Sequence, residues 1–114
     1  MEKFMLLIRQ DLQEVSSWTD AEYQVKIDRM LEWVDELTKS GNHVASEPLL
    51  TYGKYVTNDN VLSDGPFIEA KEAISGYFIV MADNIDHAVS LAQKCPLLPT
   101  KDVVIEVRPI RVLE

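Results

Sequence analysis

One cysteine, two histidines and four glycines in 114 residues leave little material for several kinds of chemistry. A lone Cys95 cannot close an internal disulfide, so the stapled secreted mini-domain is excluded. With no cysteine pair and no histidines at ligand spacing there is no zinc pattern, and no glycine-rich turn supplies a phosphate loop or dinucleotide fingerprint. No metal and no cofactor are therefore expected. Positive charge is also scarce: 11 Lys and Arg face 19 Asp and Glu, a net charge of -8. Such a surface repels phosphates and gains nothing from counterion release, which argues against nucleic acid as a partner. No apolar run is long enough to span a bilayer. The stretch Phe4 to Ile8 is too short for a signal-peptide core and is followed by Arg9 and Asp11, so the expected location is cytoplasmic.

The chain shows no repeat, low-complexity tract or linker, and its length suits one domain, residues 1–114, that buries about 65% of the surface exposed on unfolding. Phe4 to Arg9 reads as a strand. Thr19-Asp20-Ala21-Glu22 has capping-box spacing, with Trp18 placed to staple the start of a long helix. Its apolar stripe is Tyr23, Ile27, Met30, Leu31, Val34 and Leu37, with Trp33 near the edge, and Gly41 with Asn42 supplies the stop. Val44 to Leu50 is strand-like, with Pro48 indicating an edge or a break. Asn58-Asp59-Asn60 sits between Lys54 to Thr57 and Val61 to Ser63 as a small hairpin. Gly76 to Ala82 is a nearly continuous apolar strand. Asp83 or Asn84 then caps a second helix with Ile85, Ala88, Val89 and Ala92 inward, ended by Pro96. Val103 to Arg108 is the last strand, before Pro109. Cys95, next to Pro96 with no activating base near it, reads as a buried structural thiol.

This order predicts an α+β, ferredoxin-like split βαβ fold with an antiparallel sheet. Alternation puts Phe4, Leu6 and Ile8 on one face of the first strand and Met5, Leu7 and Arg9 on the other. Tyr77, Ile79 and Met81 oppose Phe78, Val80 and Ala82, while Val104, Glu106 and Arg108 oppose Val103, Ile105 and Val107. Both faces are largely apolar, yet two helices cover one. A second copy of the chain is the simplest cover for the other, so a homodimer with a sheet-lined cleft is expected.

Arg9, Glu106 and Arg108 share the face that the helices leave open. The planar fork of Arg108 can hold a carboxylate, with Glu106 orienting it; a structural ion pair at the rim is the competing reading, and Arg9 carries the same two. The segment Asp64-Gly65-Pro66-Phe67-Ile68-Glu69-Ala70-Lys71-Glu72 crowds a turn signal and four charges against a strand. An Asx-turn at Asp64 followed by Gly65 and Pro66 explains it mechanically, with Phe67 as an anchor and the Glu69, Lys71 and Glu72 charges solvated. A functional reading makes Asp64 a general acid or base near the cleft, tuned by Lys71 or Arg108, with Glu69 beside them. Asp64, Glu69 and Glu72 lack a calcium-loop pattern and are not read as a metal site.

That nine-residue segment resembles the DGPF signature of YCII-related proteins, and Gly76 to Val80 and Ile105 to Ile110 agree with it. The resemblance covers nearly the whole chain and implies a dimeric α+β barrel, in which two sheets pack face to face. It implies either a small-molecule enzyme or binder acting on an anionic or carbonyl-bearing ligand, or a noncatalytic regulatory or accessory partner, since some relatives resemble companions of extracytoplasmic-function sigma factors. Relatives in the wider group resemble users of a His and Asp pair. Residues 1–42 hold no histidine; His43 reads as a solvated loop residue and His87 as a surface residue in the first turn of the second helix, so that pair is not carried over.

Overall fold

The computed structural model describes residues 1–62 and 73–113. Strand β1 (Glu2–Gln10) buries every second residue, Phe4, Leu6, Ile8 and Gln10. Asp11 ends it by capping α1 (Leu12–Ser17), its Oδ1 accepting from the Gln13 and Glu14 amides at 2.9 and 3.4 Å. This short helix was not anticipated; a single turn and a half offers only Leu12 and Val15 as a periodic signal.

The long helix α2 (Asp20–Lys39) starts on the expected capping box. Glu22 N–H donates to Thr19 Oγ1 at 3.1 Å, and Thr19 N–H donates to Glu22 Oε1 at 3.0 Å. Trp18 and Tyr23 form the staple, their ring centroids 6.4 Å apart, which fixes the angle at which the chain enters the helix. The other end is a Schellman turn: Gly41, at φ 78°, donates to Thr38 O at 3.0 Å and Asn42 donates to Leu37 O at 2.8 Å. Glycine takes that left-handed angle without a Cβ clash. Asn42, 5% exposed, then locks the helix end to the sheet, donating from Nδ2 to Met81 O at 2.7 Å while its Oδ1 accepts from Ser40 Oγ at 2.6 Å.

Strands β2 (His43–Pro48), β5 (Ala73–Ala82) and β6 (Val104–Pro109) join β1 in one antiparallel sheet of order β2-β5-β1-β6. A separate hairpin pairs β3 (Tyr55–Val56) with β4 (Val61–Leu62) around the expected turn, closed by Thr57 N–H to Asn60 O at 2.8 Å. Helix α3 (Ile85–Ala92) is capped by Asn84, whose Oδ1 accepts from the His87 amide at 2.9 Å. With the helices between β1 and β2 and between β5 and β6, this is the ferredoxin-like α+β arrangement read from the sequence. Pro48 closes an edge strand, as the proline rule requires, and Pro109 is the last residue of the opposite edge.

The core lies between the sheet and the helices: Phe4, Leu6, Ile8, Phe78 and Val80 meet Trp33 and Leu37 from α2 and Ala88, Leu91 and Ala92 from α3. Trp33 stacks on Phe78 at 4.4 Å between centroids. The stripe of α2 is therefore rotated from its expected setting. Trp33 is 2% exposed and Leu31 is 59% exposed, because Met30, Trp33, Val34 and Leu37 form the tighter i, i+3, i+4, i+7 set. In α3, Leu91 takes an inward place, and Ile85 and Val89 stay outside.

Two β-bulges interrupt the pairings of β5, one near each end of the strand. Ile8 pairs with Gly76 but Arg9 with Ile74, so Ser75 is an extra residue; His43 pairs with Val80 and Ala45 with Ile79, so Val44 is another. At Gly76 a Cβ would lie 3.1 Å from Glu47 O and 3.4 Å from Pro48 Cα, both backbone atoms of the neighbouring strand. Gly76→Ala is accordingly expected to push β2 outward and lower the unfolding free energy by about 1–3 kcal/mol in urea denaturation. The capping box sets a pH dependence as well. The Thr19 backbone N–H, then its hydroxyl, hold the Glu22 carboxyl below its ordinary value. Its contribution is complete above the unfolded carboxylate range and is lost as the pH falls through the lowered folded value. Wild type should therefore lose stability relative to Glu22→Gln, which keeps the acceptor without the charge, in acid melts.

Candidate functional site

Parity carries Arg9 on β1 and Glu106 and Arg108 on β6 to the sheet face opposite the helices. Leu7 pairs with Glu106 and Met5 with Arg108, so Arg9 reaches Glu106 diagonally across the strand pair. Arg9 donates from Nε and Nη2 to Glu106 Oε1 at 3.2 and 3.1 Å. Arg108 Nε lies 3.7 Å from Glu106 Oε2. The carboxylate is thus shared, held more closely by Arg9 than by the Arg108 it was expected to orient. Among the described residues, two guanidiniums share this one carboxylate on a chain of net charge -8. Arg108 is the more available of the two, its side chain 69% exposed against 33% for Arg9. Around them Met5, Leu7, Tyr77, Ile79 and Met81 are half-buried on the same face. Asp64, Glu69 and Lys71, the other expected members of the site, lie outside the described residues.

A second feature lies on the helix side of the sheet, where sequence reasoning placed no site. A cavity of about 230 Å³ opens between α2, the bulged end of β5 and the exit of β2. Trp18, Tyr23, Ile27, Met30 and Val34 wall it from the helix, and Ile8, Gln10, Ser75, Gly76 and Phe78 from the sheet. Gln10 is 5% exposed, and its Oε1 has no hydrogen-bond partner among the described residues. The Trp33 indole N–H is also unpartnered, but it does not line the cavity. The only sequence signal for Gln10 was its parity: it follows Phe4, Leu6 and Ile8 on the inward face.

His43 is not a loop residue. It opens β2, packs edge-on against Phe78 at 6.1 Å, and its Nε2 is 2.9 Å from Ser46 Oγ, which borders the cavity. The Val44 bulge turns it inward, and no pattern in the sequence announced that bulge. His87 is half-buried, and its Nδ1 accepts from the Asp83 amide at 3.0 Å, which gives it a place in the helix cap. Cys95 is buried as expected, with Sγ 3.9 Å from Met30 Sδ.

The model of the YCII-related domain matches residues 3–114, nearly the whole chain. The chain belongs to the YCII-related domain family. No curated protein matches this YCII-related chain. Among its described residues, no helix is long and apolar enough to cross a membrane.

Burial pushes the Cys95 thiol up to about 11, against smaller opposing effects of the Leu97 and Leu98 backbone amides. The thiolate, which is the nucleophile, is thereby suppressed. Native protein should resist iodoacetamide at neutral pH and react fully once unfolded, as read by mass spectrometry. The same shift stabilises the fold completely below the unfolded thiol value of about 8.5, and that contribution disappears as the pH rises through about 11.

Proposed function

We propose that this YCII-related protein, of the DGPF branch that Asp64 to Phe67 suggests, binds a small anionic or carbonyl-bearing molecule on the open face of its sheet. The observation that carries this reading is Arg108. It projects from an apolar face beside a carboxylate already engaged by Arg9, and its terminal nitrogens make no hydrogen bond among the described residues. A guanidinium in that setting can grip a carboxylate bidentately, and the apolar surround excludes the water that would compete. Arg9, Glu106 and Arg108 form the binding side, with Glu69 assigned to its rim. Asp64 is assigned the acid or base role and Lys71 the tuning charge. Their segment runs directly into β5, where Ile74 is the register partner of Arg9.

The cleft is completed by a second copy whose open face packs against the first. Support comes from the half-buried Met5, Leu7, Ile79 and Met81, a contiguous apolar surface that water solvates poorly. A cytoplasmic setting agrees with the lone thiol. A regulatory role beside a sigma factor has no residue to argue from and is the reading favoured if the face proves to receive a different protein.

Sedimentation in dilute buffer is expected to show a dimer. A thermal-shift screen with small mono- and dicarboxylates should raise the melting temperature of wild type, since a ligand at 100 times its Kd stabilises by about 2.7 kcal/mol. Arg108→Ala should weaken the binding about 10- to 100-fold, and Asp64→Asn should alter turnover more than binding if the bound molecule is converted. A monomer with no carboxylate response would overturn the reading.

A further inference from the structure

The cavity on the helix side of the sheet has apolar walls and a cation at its rim. Ile27, Met30 and Val34 of α2, Ile8 and Phe78 of the sheet, and Leu97 offer nothing to a charged group. Among the described residues that line it, Lys26 is the one cation and Glu47 the one carboxylate. Register keeps these two apart. Ser46 pairs with Phe78 and Glu47 with Tyr77, so alternation turns the Glu47 and Tyr77 side chains to the open face of the sheet. Glu47 approaches the cavity through its backbone, the carbonyl oxygen being the atom that a Cβ on Gly76 would meet at 3.1 Å.

The Lys26 ammonium lies 4.6 Å from the centroid of the Trp18 ring, and Trp18 with Tyr23 forms the aromatic rim. Lys26 makes no ion pair among the described residues. Glu22, one turn earlier on α2, is committed to the capping box, and its carboxyl feels the Thr19 hydrogen bonds more than it feels Lys26. The Trp18 indole N–H and the Tyr23 hydroxyl also make no hydrogen bond among the described residues. On the sheet wall, by contrast, Ser46 Oγ lies 2.9 Å from His43 Nε2 and Ser75 Oγ donates to Ile8 O at 3.4 Å. Donors without acceptors therefore gather at the rim, above an interior that suits hydrocarbon. A cation–π contact is a weak tie, and a carboxylate can displace it through a charge-assisted hydrogen bond.

We propose that this cavity binds a straight-chain monocarboxylic acid of medium length, its carboxylate at the Lys26 ammonium and its tail between α2 and the sheet. The volume of about 230 Å³ exceeds the roughly 150 Å³ that admits benzene. It falls short of the roughly 300 Å³ at which sites for drug-sized molecules begin. A compact polar ion would lose its water against these walls without replacement, and a wholly apolar guest would leave the ammonium unanswered. The site shares no residue with the arginine face, which lies on the side of the sheet that α2 does not cover, so either can fail without the other.

A homologous series tests both halves of the ligand. In calorimetric titration of the full chain, hexanoate, heptanoate and octanoate should each bind about fourfold more tightly than the acid one methylene shorter. Lys26→Met keeps the stem and removes the charge; it should weaken octanoate about tenfold and leave 1-octanol binding unchanged. Lys26→Gln repeats the comparison should the methionine variant fold poorly. Ile27→Trp, at a position outside the buried core cluster, should fill the cavity and abolish binding of both molecules. On the ¹⁵N-labelled protein, octanoate should move the Ser75, Gly76 and Phe78 amides saturably while Glu106 and Arg108 stay still, and Arg108→Ala should leave its affinity unchanged. Affinity independent of chain length, octanoate binding unaltered by both Lys26 substitutions, or shifts that map to Glu106 and Arg108 would each overturn the proposal.

Discussion

The two-residue period of β1 is the constraint on which both candidate sites depend. The strand lies inside the sheet, paired with β5 on one side and β6 on the other. Its register is therefore fixed twice, and a slip by one residue would turn Phe4, Leu6 and Ile8 toward solvent. The same alternation sends Arg9 to the open face and Gln10 under the helices. One strand end thus feeds two chemically opposite environments, a charged group on an apolar surface and a neutral amide in an apolar cavity. The Ser75 bulge makes this compatible with packing. It inserts its extra residue on β5, beside the last turn of pairing, and leaves the inward run of β1 intact.

Two buried polar side chains show how differently the fold treats such groups. Asn42 both donates and accepts within the protein and joins the end of α2 to β5, so its burial adds rigidity. Gln10 is buried to the same degree without that compensation. A structural role explains the first. The second is a stability loss of the kind that proteins carry at places where something other than the core is being served.

Much of this architecture could be read before any coordinates. Thr19 with Glu22, Gly41, Asn58 to Asn60 and the alternation of the strands are local signals whose physics acts within a few residues. The open-face grouping of Arg9, Glu106 and Arg108 followed from parity alone. What escaped depends on distant partners. That Glu106 favours Arg9 over its own neighbour Arg108 needs the β1–β6 register, which no local pattern states. Leu31 and Trp33 both fit a helical stripe, and the decision rests on Phe78 offering a ring for Trp33 to stack on. His43 was misplaced because a bulge at Val44 reverses parity without a glycine or proline to mark it. The cavity was illegible for the same reason as Gln10: a polar residue at the close of an apolar alternation looks like the end of a strand. Asp64, Glu69 and Lys71 rest on the resemblance of their segment to its family.

The two borders of the main sheet have a further effect. One carries an irregularity at Val44 and finishes at Pro48; the other finishes at Pro109, which has no amide hydrogen to offer. At those positions the regular ladder is interrupted or lacks a donor, which works locally against growth of the ribbon sideways, the first step toward fibrils.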